Sequence, residues 1–275
     1  MIFDSFRQHG ALNSPPIFDA FEAGLRKLGH SVEYNKLNAD AAIIWSVLWH
    51  GRMKQNRPIW EYYRNQNKPV IVLEVGCLDR DRTWKIGING INAGSYFVPK
   101  GVDDTRIKTF GIQVKPWHQG DNIIVCPQHG LSHQWRENPS VDDWVRDTIT
   151  KLKLYTDRPV IVRPHPRFPV NIKNVPISRN TFKQDLLNAW AVINWNSNPG
   201  VESIIEGIPS FVGHDSLAAP VANIDLSAIE NPVMPDRAQW INELAWTEWT
   251  VEEMSKGIPQ RLLIDQIQLL TMTGS

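Results

Sequence analysis

Short apolar runs with strand character alternate with amphipathic helical segments along this chain, and the alternation stops and restarts near residue 120. That pattern constrains the fold more than any other feature, because strands separated by helices form parallel sheets with helices on both faces. The first half opens on an apolar segment, Met1 to Phe6, followed by the loop Arg7-Gln8-His9-Gly10. Ser14-Pro15-Pro16 then starts a helix in which Ile17, Phe18, Phe21, Leu25 and Leu28 recur at helical spacing, and Gly29 stops it. Strands are expected at 31–34, 41–46 and 70–73, the last led by Pro69, with a helix at 58–66. Residues 76–120 read as strands and loops at a domain edge, with 109–120 as the crossover linker. The second half repeats the pattern with strands at 122–126, 159–163, 191–194 and 209–212. Helices are expected between them at 141–155, 182–187 and 199–206, and in a helical tail at 236–245, 251–255 and 259–270. Two doubly wound α/β domains follow, 1–115 and 116–275.

Length and composition allow this: 275 residues, 42% hydrophobic and 21% charged, describe an ordinary globular chain with a substantial core. No apolar run nears the roughly 20 residues that span a bilayer, and Asp4 precedes any apolar stretch, so neither a membrane span nor a signal peptide is expected. Cys77 and Cys126 each end an apolar run, as buried free thiols do, which points to a reduced compartment, the cytoplasm. The formal net charge is zero, but residues 1–120 hold 16 Lys/Arg against 11 Asp/Glu. That excess hints at an anionic partner for the first half, against the alternative of scattered surface charge. Twelve Trp is high usage; these rings stack on sugars and bases, and also serve core packing.

Open parallel sheets bind ligands at the carboxyl ends of their strands. Three second-half segments place polar groups there. Arg163-Pro164-His165-Pro166-Arg167 sets two Arg four apart around a His, a candidate clamp for a diphosphate, since the guanidinium fork makes bidentate bonds to phosphate oxygens. The competing reading is a solvated surface loop. Asn196-Ser197-Asn198-Pro199-Gly200-Val201-Glu202 ends a strand and opens a helix whose first N–H groups suit an anion. Glu202 is placed to accept from vicinal ribose hydroxyls, or to act as a plain dipole partner. The third segment sets Gln128 and His129 over the same crevice.

The order "strand–RPHPR … NSNPGVESIIEGIPSFV", over about residues 122–213, resembles the donor half of nucleotide-sugar glycosyltransferases of the GT-B class. The resemblance implies two facing Rossmann-like domains, phosphates held by His165-Pro166 and Ser197, ribose held by Glu202, and a following strand at Gly207-Ile208-Pro209. The His-Pro and Ser motifs are similar to those of capsule sialyl- and Kdo-type transferases, which use CMP-linked sugars. The Arg163/Arg167 pair is similar to the UDP clamp of phage glucosyltransferases that modify hydroxymethylcytosine in DNA. Either way the implied co-substrate is a UDP- or CMP-linked sugar, with no separate cofactor.

The first half then supplies the acceptor site and a base for the attacking hydroxyl. Glu74, just after the strand 70–73, is the first choice, followed by Asp79 and Asp81, then His9. Asp79-Arg80-Asp81 spells a D-x-D metal signature, but flanking Arg residues and its place outside the donor half favour a solvated turn. Arg52, Arg57, Arg80, Arg82 and Trp84, with Trp45, Trp49 and Trp60 nearby, are the candidate acceptor contacts. Cations with stacking aromatics suit double-stranded DNA with a flipped hydroxymethylated base. A capsular or surface glycan is the alternative acceptor. A non-catalytic nucleotide-sugar or DNA-binding module, or a sugar-nucleotide epimerase, are the rivals outside the class. The expected reaction is inverting and metal-independent, in the cytoplasm of a cell or phage host.

Overall fold

The computed structural model describes residues 1–97 and 103–273, so residues 98–102 of the expected domain-edge segment lie outside the described residues. The chain forms two compact units, Met1–Phe110 with Asn242–Ser275, and Gly111–Ile241. The first contains β1 (Ile2–Ser5), α1 (Pro15–Lys27), β2 (Ser31–Tyr34), β3 (Ala41–Trp45), α2 (Asn56–Asn65), β4 (Val70–Val75), β5 (Thr83–Ile88) and α3 (Thr105–Phe110). The second contains β6 (Asn122–Cys126), α4 (Val141–Leu152), β7 (Val160–Val162), α5 (Phe182–Leu186), β8 (Ala189–Asn194), α6 (Asn198–Ile205) and β9 (Ser210–Phe211). Helix α7 (Ala238–Leu244) leads the chain back to the first unit, where β10 (Glu248–Thr250), α8 (Val251–Ser255) and α9 (Ile258–Thr273) complete it. Both units are Rossmann-like, as expected from the alternation.

The second unit holds a wholly parallel four-stranded sheet ordered β7-β6-β8-β9. Its strands read as continuous apolar runs because both faces are covered. Ile123 and Val125 face Val145, Ile149 and Leu152 of α4, while Ile124 and Cys126 pack with Leu186 and Ile208 on the other side. The first unit has a six-stranded sheet, β10-β5-β4-β3-β1-β2. Strands β1 to β4 are mutually parallel, β5 runs antiparallel to β4, and β10 runs antiparallel to β5. Phe3, Ile43, Ile71 and Leu73 face α1 on one side, and Ala42, Ile44, Val70 and Val72 face Trp60 and Tyr63 of α2 on the other.

The tail corrects the expected domain division. It adds an edge strand and two helices to the first unit, whereas its place in the sequence puts it with the second. Met254, Leu263, Ile264 and Ile267 enter the same apolar cluster as α1, and Gln260 Nε2 donates to the carbonyls of Phe21 (2.7 Å) and Met254 (2.8 Å). Arg106 of α3 donates to the Ala245 carbonyl and the Glu253 carboxylate, with its guanidinium 3.9 Å from the Trp249 ring centroid. This division also removes the charge asymmetry. Counted by unit, the first holds 17 Lys/Arg against 16 Asp/Glu and the second 12 against 13. The cationic first half was an effect of cutting the chain before its acidic tail.

Candidate active site

In the second unit, the three expected segments meet at the carboxyl edge of the parallel sheet. Gln128 and His129 follow β6, His165 follows β7, and Asn196 and Ser197 follow β8. The His129 and His165 rings stand edge to face, 5.2 Å apart, with Phe168 4.7 Å from His129. Each ring has its Nδ1 fixed as an acceptor by a backbone N–H two residues on, Leu131 to His129 and Arg167 to His165, both at 3.1 Å. In the neutral ring the remaining proton is therefore on Nε2. Gln128 Oε1 accepts the Asn196 N–H (3.2 Å), tying the end of β6 to the end of β8.

Asn194, which no local motif singles out, is the second tie. Its Nδ2 donates to the Cys126 carbonyl (2.9 Å) and to Ser197 Oγ (2.8 Å), and its Oδ1 accepts the Ser197 N–H (3.0 Å). Ser197 is the residue before α6, yet its hydroxyl caps no helical N–H. Being an acceptor from Asn194, that hydroxyl keeps its own proton for another partner. Asn198 is the first residue of α6, and Glu202 is half-buried one turn further on. The Cys126 thiol feels this convergence: burial raises its pKa, and Arg163, Asp185 and Glu202 all act on it. It stays protonated, a core residue as expected.

Arg163 differs from the expected clamp. Its Nη1 donates to the Asn180 carbonyl (2.6 Å) and the buried Asp185 carboxylate (3.0 Å), which Ser178 and Asn180 also hold. A guanidinium so committed fixes the 178–185 loop against β7, and the two Arg do not form a matched pair. Arg167 is exposed on the turn, with no side-chain partner among the described residues.

In the first unit, His9 follows β1 and lies close to Arg52. Burial first, and then the Arg52 charge, lower its pKa, which keeps the imidazole neutral at neutral pH. The Gln8 amide reaches His9 Nε2 at 3.1 Å and bonds to Asn35 as well. Asn56, fully buried at the start of α2, ties the loop down by donating to the carbonyls of Trp45 (2.6 Å) and His9 (3.4 Å). Glu74 is half-buried near the end of β4, its Oε1 accepting the Val75 N–H (2.8 Å).

The remaining acceptor candidates scatter. Arg57 pairs with Glu61 (2.8 Å) and Arg82 with Asp79 (2.7 Å), while Arg80 is exposed. Asp81 has φ +72°, so Asp79–Arg82 is a tight turn. Trp84 is no stacking platform: it packs on the core cluster and pairs across the sheet with Trp249. Trp45 and Trp60 are buried too. Among the described residues, no three His, Cys, Asp or Glu side chains gather as a metal site, and no helix is long and apolar enough to cross a membrane.

Glu248 of β10 carries no local sequence signal either. This fully buried carboxylate accepts from the Cys77 N–H (2.7 Å), Cys77 Sγ (3.1 Å), the Leu78 N–H (3.2 Å) and Thr83 Oγ (2.7 Å). A Cβ at Gly76 would sit 2.4 Å from its Oε2, so only glycine fits where the chain passes this oxygen.

No protein-family model matches the chain, and no curated protein matches it by sequence. Solved structures do. One is the β-Kdo 2,4 transferase of KpsC from Thermosulfurimonas dismutans, 14% identical, with a TM-score of 0.53 over 98% of both chains. Another is the β-Kdo 2,7 transferase of the same KpsC, 12% identical, with a TM-score of 0.54 over 97% of this chain and 99% of the other. At such identities the likeness establishes a shared two-domain fold, that of GT-B glycosyltransferases.

Proposed function

We propose that the chain is a glycosyltransferase that moves a sugar from a nucleotide-sugar to an acceptor hydroxyl. The observation carrying this reading is the convergence of His129, His165, Ser197 and the start of α6 at one sheet edge, in a chain that shares its fold with two Kdo transferases along nearly its whole length. The two Nε2–H groups, the Ser197 hydroxyl and the helix N-terminus offer donors to the nucleotide phosphates, and Glu202 offers acceptors to ribose. Arg163 positions this loop, and Arg167 is the exposed cation on it.

In the reaction, the acceptor oxygen bonds to the anomeric carbon as the bond to the nucleotide phosphate breaks, and the acceptor proton passes to a base. His9 suits that role better than Glu74 or Asp79. Its depressed pKa leaves a lone pair available at neutral pH, and an acceptor hydroxyl displacing the Gln8 amide donates to the same nitrogen. Asp79 is tied to Arg82. The phosphates leave against fixed donors and a helix N-terminus, which carry developing charge without a metal.

A glycan acceptor fits better than hydroxymethylated DNA, since the first unit is nearly neutral overall and Trp45, Trp60 and Trp249 are in its core. The test is transfer from labelled UDP-glucose, UDP-N-acetylglucosamine, CMP-sialic acid and CMP-Kdo to simple glycosides and to hydroxymethylated duplex DNA. His165→Ala is expected to weaken nucleotide binding about tenfold or more, from charge-assisted bonds of about 1.5–3 kcal/mol. Unchanged affinity in that variant refutes the donor site. Conversion of the donor with no acceptor present marks an epimerase, and binding without turnover marks a non-catalytic module.

A further inference from the structure

Lys85 is 3% exposed and makes no ion pair or hydrogen bond among the described residues. A buried lysine stem is ordinary, and the Nζ is not among the fully buried polar atoms that lack a partner, so the ammonium keeps a narrow opening to solvent. Its position gives that opening a context. In the antiparallel ladder Lys85 pairs in register with Glu74 of β4 on one side and with Glu248 of β10 on the other. In-register residues project to the same face of a sheet with Cβ atoms about 4.5–5.5 Å apart, so acid, base and acid form a row at the carboxyl end of β4.

The two carboxylates are not equivalent. Glu248 is saturated by its four donors from Cys77, Leu78 and Thr83. Glu74 takes a single N–H on Oε1, which leaves Oε2 without a protein donor among the described residues. Glu74 thus keeps one carboxylate oxygen without a protein donor on the sheet face that also carries Lys85, whose ammonium has no hydrogen-bond partner among the described residues. The adjoining turn Asp79-Arg80-Asp81-Arg82 adds no net charge, so the row Glu74, Lys85, Glu248 carries one net negative charge. An anionic ligand is disfavoured there. A pair of neutral hydroxyls is complementary, one donating to Glu74 and the other accepting from Lys85.

We propose that Glu74 and Lys85 form a binding subsite for two neighbouring hydroxyls of an uncharged sugar acceptor. This rests on the first unit being the acceptor half of a glycosyltransferase, and it makes Glu74 a binding group while His9 stays the base.

The experiment compares the wild-type chain with Lys85→Met and Lys85→Arg. Methionine keeps the apolar stem and removes the charge. Each protein is assayed with the nucleotide-sugar the wild type accepts, using methyl glucoside and methyl galactoside against methyl glucuronide as acceptors. Lys85→Met is expected to raise the KM for the neutral glycosides at least tenfold, with donor KM unchanged and thermal stability equal or higher. Lys85→Arg should recover part of the loss. A merely structural lysine gives the opposite split, lower stability with the acceptor KM intact, and that result overturns the subsite. Preference for the glucuronide, lost in Lys85→Met, overturns the neutral-acceptor assignment. Transfer that proceeds with identical acceptor KM in wild type and Lys85→Met removes the subsite and leaves the transferase reading standing. A wild type that neither binds nor turns over any nucleotide-sugar overturns the transferase reading and the subsite with it.

Discussion

Replacing Glu248 by Gln isolates what the tail contributes to the first unit. The side chain keeps its shape, but one oxygen becomes an NH₂ facing groups that are themselves donors. On the Oε1 side these are the Cys77 N–H and S–H; on the Oε2 side, the Leu78 N–H and the Thr83 hydroxyl. The amide should settle with nitrogen toward Oε2, where Thr83 Oγ can rotate to accept, while the Leu78 N–H is orphaned. An unpaired buried donor costs about 1–3 kcal/mol, and the remaining bonds lose charge assistance worth roughly 1 kcal/mol more. Relief of the buried charge's desolvation offsets part of this. The expected loss is about 2–4 kcal/mol, confined to the first unit. For a unit of this size that lowers the melting temperature by about 5–15 °C. Scanning calorimetry should show the first unit's transition falling while the second unit's stays fixed, and a protease should find new cleavage within residues 76–83. An unchanged first transition, or an equal fall in both, refutes the argument that this carboxylate locks the 76–83 connection.

Two further outcomes follow from local chemistry. The depressed pKa values of His9 and His30, both set first by burial, mean that the folded chain holds fewer protons than the unfolded chain just below pH 6.5. Their stabilisation is complete above that value and declines as pH falls; urea titrations from pH 7 to 5 should show this slope, flattened in His30→Asn. The same shift places the acid limb of kcat/KM below 6.5 if His9 is the base, whereas a limb unmoved by His9→Gln excludes it. Gly213→Ala would set a Cβ 2.9 Å from the Trp195 ring, whose Nε1–H bonds to the Gln134 carbonyl (3.1 Å). The indole must shift, and a fluorescence change with about 1–3 kcal/mol lost is expected.

Local chemistry was legible in the sequence where a residue's neighbours along the chain decide its fate. The strand at Asn122–Cys126 shows as an unbroken apolar run because helices cover both its faces. Pro199 at the start of α6 and Gly207 just beyond it, with φ +87°, mark that helix from both ends. His165 and Ser197 follow because strand ends fix where their loops lie. Long-range pairing was not legible. An Arg whose acid lies 22 positions later reads the same as a free one, which is how Arg163 came to look like a phosphate clamp. Glu248 meets Cys77 across 171 positions, and a three-residue strand such as β10 is too short for periodicity to reveal. The charge excess of residues 1–120 misled for a related reason, since the acids that balance it arrive with the tail.

A unit assembled from both ends of a chain has a timetable. As synthesis proceeds, β5 emerges roughly 160 residues before β10, the strand that borders it. At about 5–20 residues per second, that edge waits on the order of 10–30 s for its neighbour. The intervening 131 residues of the second unit, Gly111–Ile241, are continuous and need nothing from the tail to close their sheet. The second unit is therefore expected to mature first on the ribosome, while the unfinished first sheet presents an open strand edge of the kind that recruits chaperones or pairs with another nascent chain.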